Sequence, residues 1–194
     1  MLRFLTLAPA FVLLLLYPNV GRPDEPLQVN AGDNIVLMGY EPWFGPKGVY
    51  YGNAPHQPKL KSANTTAIGL KGYDSADEKI IFQHAAWLKE AGVHAILLDH
   101  SNGTACTFGD GRFCSEKPEE VAAGKAHFGK IKDNITAIFK RLAAGSVPLK
   151  IVPLLGGGEP TALEPNADGI TSLEKQINFY LDLFAKHPGL SVQY

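Results

Sequence analysis

Two carboxylates and three aromatic side chains lie where this 194-residue chain turns from apolar to polar, and they set the chemistry open to it. Tyr40-Glu41-Pro42-Trp43-Phe44 follows the apolar run Asn34 to Met38, and Asp99-His100-Ser101-Asn102 follows the run His94 to Leu98. Sugar rings offer apolar C–H faces that stack on aromatic side chains, and hydroxyls that hydrogen-bond to carboxylates. Tyr40, Glu41 and Trp43 therefore have the composition of a saccharide subsite, with Trp43 expected as a stacking platform open to a cleft. Phe44 fits equally as a stacking surface or as an apolar plug. Asp99 follows three apolar residues, where partial desolvation raises a carboxyl pKa or demands a partner, and His100 beside it can complete an acid/base or hydrogen-bonding pair. The plainer alternative for Asp99 is a cap on its own loop. Asn102 can bind hydroxyls or carry a glycan. Glycoside hydrolysis generally uses two carboxyl groups, and Glu41 and Asp99 are the candidate catalytic pair, as subsite residues first and catalytic residues second. Glu159 is a further substrate-binding candidate, because Gly156-Gly157-Gly158 before it lets a ligand approach the backbone closely. His84, inside a helical pattern, and His94, at the start of a strand, read as structural. No group of residues has metal-ligand spacing, and no cofactor is implied.

The elements that must hold these residues alternate in type. Asn34 to Met38, His94 to Leu98 and Leu149 to Leu155 are short apolar runs bounded by turn residues, as in strands buried on both faces. Pro153 removes a ladder donor from the third, so it is expected near the strand's end or at a bulge. Between them, Asp77 to Ala91 has helical spacing (Ile81, Ala85, Leu88), a capping box at Ser75-Ala76-Asp77-Glu78 and Gly92 as its stop. A second helix is patterned by Ile131, Ile135, Ile138, Phe139 and Leu142. A third opens on the capping box Thr171-x-x-Glu174, carries Leu173, Ile177, Leu181 and Phe184 as its apolar stripe, and ends at His187-Pro188-Gly189.

A β-α-β-α-β-α series implies right-handed crossovers and a parallel sheet, in an α/β fold. Helix-to-strand connections are short and strand-to-helix connections long, which is the asymmetry of a (β/α)8 barrel whose active face is built from the latter. A dinucleotide fold would carry Gly-x-Gly-x-x-Gly after its first strand, where this chain has Gly39-Tyr40-Glu41-Pro42-Trp43-Phe44. Eight units close such a barrel and three are present, so the expectation is the N-terminal three units of a truncated TIM-type barrel over residues 25–194.

Met1-Leu2-Arg3 followed by the apolar run Phe4 to Leu16 reads as a secretory signal peptide within residues 1–24; it is too short to span a bilayer. An uncleaved N-terminal anchor is the alternative. The product is expected to be extracellular and, after cleavage, free of the membrane. In that compartment the two cysteines, Cys106 and Cys114, are expected to form a disulfide. Asn-x-Ser/Thr sequons fall at Asn64, Asn102 and Asn134, with Asn64 and Asn134 the expected glycan acceptors. The net charge of −1 and the absence of a lysine-arginine cluster argue against nucleic acid as a partner.

Gly39-Tyr40-Glu41-Pro42-Trp43-Phe44, Tyr73-Asp74-Ser75-Ala76-Asp77 and Lys89-Glu90-Ala91-Gly92-Val93 leading to Leu97-Leu98-Asp99 together resemble the opening of glycoside hydrolase family 99-like proteins. Those are β/α barrels related to endo-α-mannosidases and endo-mannanases. The resemblance runs from Asn34 to about Leu155. It implies a carbohydrate substrate, and it places the family's catalytic carboxylates further along the barrel than Tyr194. After the second strand, where the family tends to have aromatics, this chain has Asp99-His100-Ser101-Asn102, which leaves the sugar open. The expected function is a secreted glycoside hydrolase or, alternatively, a non-catalytic carbohydrate-binding or cell-wall protein on a degenerate barrel.

Overall fold

In the computed structural model of the chain, the described residues are 24–45, 48–49, 74–111, 114, 118–158 and 160–193. Residues 1–23 of the expected signal peptide, the Asn64 sequon and Glu159 lie outside them.

The three apolar runs become strands β2 (Leu37–Tyr40), β5 (Ala95–His100) and β6 (Lys150–Leu155), which pair in parallel in the order β2-β5-β6. Two short pairs flank this sheet. One is the parallel pair of β1 (Leu27–Gln28) with β7 (Val192–Gln193); the other is the antiparallel hairpin β3 (Phe44–Gly45) and β4 (Gly48–Val49). The helices are α1 (Glu78–Glu90), α2 (Thr104–Phe108), α3 (Pro118–Ala144) and α4 (Ser172–Lys186). Relative to the sequence reading, β2 is displaced toward Tyr40, and β5 runs two residues further, so that Asp99 and His100 are strand residues. The fold is mixed α/β with parallel strands joined through helices.

Register sets the two faces of the sheet. Leu37 lies opposite Ala95, which lies opposite Lys150, and successive side chains alternate. Ile96, Leu98 and Ile151 therefore share one face, where they meet Ile81 and Ala85 of α1, Ile131, Ile135, Ile138 and Phe139 of α3, and Tyr180 and Leu183 of α4. This helix-covered side is the core. Leu37, Gly39, Leu97, Asp99, Val152 and Leu154 share the opposite face, on which Leu154 is 39% exposed. Pro153 is neither at a strand end nor at a bulge. Lys150 N donates to His94 O, so the alternation of a parallel ladder turns the Pro153 nitrogen to the outer edge of β6, where it removes no bond to β5.

Helix α1 is capped by Asp77, whose side chain accepts from Lys79 N, and not by Ser75 as the sequence suggested. Ser75 is fully buried and serves the β3 strand instead, with Phe44 N donating to its hydroxyl. Gly92 ends α1 with φ +78°, a conformation a side chain would strain. The capping box at Thr171 forms as expected.

Helix α4 corrects the expected stripe. Its buried positions are Ser172, Gln176, Tyr180 and Leu183, while Ile177 and Leu181 are exposed, Leu181 at 59%. Gln176 is the reason. Its Nε2 donates to His100 O at 2.7 Å and its Oε1 accepts from Gly156 N at 3.0 Å, so one buried amide joins the ends of β5 and β6 and fixes the rotation of the helix. At the opposite end of the sheet, buried Lys150 donates through Nζ to Glu25 O at 2.5 Å and Gly189 O at 2.7 Å, holding the chain before β1 against the turn at Pro188–Leu190.

The orientation of α4 has a direct consequence. Leu183→Ala should cost about 2–4 kcal/mol in urea denaturation, and Leu181→Ala less than about 0.5 kcal/mol. Equal costs at the two positions would reverse the assignment of the inward face.

Candidate functional site

A cleft of about 470 Å³ opens beside the C-terminal end of β2, lined by Tyr40, Glu41, Phe44, Asp99, His84 and Trp87, with Met38, Leu88, Leu97 and Leu154 as its apolar floor. The strand-end residues predicted from sequence, Tyr40, Glu41 and Asp99, are brought together here. Glu41 is exposed at the mouth. Asp99 projects from the open face of β5, and its Oδ1 accepts from Ser101 N at 2.9 Å and Ser101 Oγ at 2.6 Å. The partner demanded by a carboxylate at that position is thus its own loop. Trp43 is half-buried against the core, with its indole N–H donating to Asp99 O at 3.3 Å, so it fastens the first strand's loop to the second strand.

Two lining residues were not read as site residues from sequence. His84 Nδ1 and Tyr40 Oη share a hydrogen bond of 2.9 Å, and the rings meet edge to face at 5.7 Å. Trp87 packs beside His84 at 5.9 Å between ring centroids while remaining 43% exposed. Both stand on α1, three residues apart and so on one side of the helix. That spacing was visible in the sequence; the neighbouring strand edge that turns it into part of a cleft was not. Burial holds the His84 imidazole below its ordinary pKa, which favours the neutral ring at neutral pH. The cleft therefore combines aromatic faces with two carboxylates, and among the described residues no lysine or arginine lines it.

His100 does not belong to this cleft. Alternation along β5 sends it to the helix-covered face, 1% exposed, where it meets the rings of Phe108, Phe179 and Tyr180. Its Nδ1 lies 3.2 Å from the Tyr180 hydroxyl, which burial keeps protonated; its Nε2 is buried with no hydrogen-bond partner. Asn102 is half-buried in the bend before α2. The Gly156 backbone is approached closely, but by protein: a Cβ there would lie 1.8 Å from Thr104 Oγ1. Asn134, an expected glycan acceptor, is 3% exposed, with its side-chain amide donating to Pro42 O and Phe44 O. His94 Nδ1 accepts from Val36 N at 3.1 Å, a structural tie between β2 and β5. Cys106 and Cys114 form a disulfide with a Cα–Cα distance of 4.4 Å, against Gly124 of α3. Among the described residues no cluster of three or more His, Cys, Asp or Glu could hold a metal ion, and no helix is long and apolar enough to cross a membrane.

No family model and no curated protein matches this sequence. A solved structure of a glycoside hydrolase family 99 endo-α-mannosidase from Bacteroides thetaiotaomicron, in complex with bis-tris-propane, is similar at 13% identity and a TM-score of 0.44, over 84% of this chain. The chain spans 39% of that protein's chain.

Burial of His100 makes stability depend on pH. Desolvation first, and the Lys132 ammonium second, lower its pKa from 6.5 to about 3. Between those values the unfolded chain binds a proton that the folded chain does not, so stability is full above about pH 6.5 and is lost as pH falls. The slope should approach ~1.4 kcal/mol per pH unit and flatten near pH 3. Urea midpoints measured from pH 7.5 to 4.5 should fall steadily, and His100→Phe should remove most of the slope. An unchanged slope in that variant would place the titrating group elsewhere.

Proposed function

We propose that this chain forms part of a secreted, carbohydrate-active β/α protein, and that the cleft at the end of β2 is an oligosaccharide subsite of a glycoside hydrolase. The observation that carries the reading is the pairing of aromatic faces, from Tyr40 and the exposed Trp87, with the Glu41 and Asp99 carboxylates in one open cleft. Stacking on an aromatic supplies affinity for a sugar's C–H face, and the carboxylates accept from its hydroxyls. Among the described residues the lining carries no cation, and to that lining a neutral sugar is better suited than an acidic one.

Closure into an eight-stranded barrel is part of the same proposal. It is supported by apolar side chains on the open face of the sheet, Leu37 and Leu154, which further strands would cover. Catalysis by Glu41 and Asp99 would require one protonated and one ionised carboxyl group. The engagement of Asp99 Oδ1 by Ser101 favours a binding and positioning role for Asp99, and that observation supports the second reading, a non-catalytic carbohydrate-binding protein.

Calorimetric titration of the secreted protein with neutral α-manno-, β-manno-, cello- and xylo-oligosaccharides tests the proposal. Binding of at least one series is expected, and Trp87→Ala should weaken it by about 1–3 kcal/mol while changing stability by less than about 1 kcal/mol. Release of reducing ends that disappears in Glu41→Gln would support the hydrolase reading, and binding without release the second one. Absence of binding across the panel would sink both.

A further inference from the structure

Asn134 sits in the middle of α3 with its side chain turned into the protein, and its one amide nitrogen meets two backbone oxygens: Pro42 O at 2.8 Å and Phe44 O at 3.1 Å. These carbonyls flank Trp43 in the loop that leaves β2. A primary amide carries two N–H bonds, so both are committed. The same loop is tied twice more at Phe44, whose N donates to Ser75 Oγ at 3.2 Å and whose O accepts from Ser75 N at 3.0 Å. Trp43 then reaches across to Asp99 O. The backbone from Pro42 to Phe44 is thus fixed from the segment before α1, from α3 and from β5, and of these ties only the Asn134 amide spans both sides of Trp43.

We propose that Asn134 is the positioning residue of the cleft: by bridging Pro42 O and Phe44 O it locks the loop that presents Glu41, Trp43 and Phe44. Without the amide, Pro42 O loses its donor and Phe44 O keeps only Ser75 N, and a buried acceptor without a partner is costly enough to drive the loop outward toward water. The loop and α3 share no sequence-local relation, so this contact couples the cleft to α3, beside the packing of Trp43 against the core. A second consequence concerns modification. Asn134-Ile135-Thr136 has the form of a glycan acceptor, yet N-glycosylation replaces one of the two amide hydrogens. A glycan on Asn134 and a locked loop therefore exclude each other, and a correctly folded secreted chain carries Asn134 unmodified.

The effect of Asn134 on saccharide affinity rests on the function proposed above; its effect on the loop does not. The chain has two tryptophans, so Trp87→Phe leaves Trp43 as the sole reporter of the loop. In that background Asn134→Asp, which keeps the shape but presents oxygen to oxygen, and Asn134→Ala, which removes the donor without adding charge, are compared well below their melting temperatures. Trp43 emission should shift to longer wavelength and its quenching by acrylamide should increase in either folded variant, with far-UV circular dichroism retained. In the Trp87-containing protein, the same substitutions should weaken α-mannotetraose binding roughly ten-fold, about the loss of one buried hydrogen bond. A parent that does not bind α-mannotetraose would count against that ligand while leaving the fluorescence result to decide the lock. Unchanged Trp43 emission in a folded variant, failure of both variants to fold, or a glycan on Asn134 in the natively folded secreted protein would each overturn the proposal.

Discussion

Alternation of side chains along β5 is the constraint on which the arrangement of the molecule depends. Ile96, Leu98 and His100 point into the helix layer, and Leu97 and Asp99 point to the open face, because a strand offers no third direction. Two polar residues adjacent in sequence are thereby sent to unlike environments. Asp99 reaches a cleft and accepts from the Ser101 amide and hydroxyl, while His100 enters an aromatic enclosure that disfavours protonation. A slip of one residue in the pairing with β2 and β6 would exchange them and place a carboxylate in the core. The apolar pattern of the strand and the desolvation cost of that carboxylate therefore act together to hold the register.

The strand ends are secured by buried amides. Gln176 joins His100 O to Gly156 N and so couples β5, β6 and α4, and Asn134 joins α3 to the loop after β2. Each does for irregular backbone what ladder bonds do inside the sheet: it satisfies polar groups that water cannot reach. Gly156 belongs to the same device, since only a residue without Cβ lets the Thr104 side chain come so close to the strand end. Rigidity at the C-terminal edge of the sheet follows from these few contacts, and the edge is where the cleft lies.

Much of this was legible in the sequence, and the misses have physical causes. The α3 stripe of Ile131, Ile135, Ile138, Phe139 and Leu142 is buried throughout, because five apolar side chains at helical spacing leave a helix one way to face a sheet. The same reasoning failed for α4: its apolar side chains at Ile177 and Leu181 were outweighed by the bonding of Gln176, which hydrophobic spacing does not register. Tyr40, Glu41 and Asp99 were found because a change of polarity at a strand's end is a local signal. Trp87 and His84 were not, because their role depends on which strand edge α1 lies beside. His100 and Asn134 were misplaced for a shared reason: a polar residue in sequence carries no mark of whether its partner is water, ligand or backbone.

The cleft at the end of β2 unites these threads, since its walls come from the strand ends, from the α1 helix and from the loop held by Asn134. The role proposed for the aromatic surface there is to receive a sugar ring. The most direct test is a two-dimensional 1H–15N NMR titration of the protein with neutral oligosaccharides, following the two indole N–H resonances. Saturable movement of the Trp87 resonance, with a smaller displacement at Trp43, is the expected result. Resonances that stay in place while a neutral oligosaccharide binds elsewhere on the protein would contradict it.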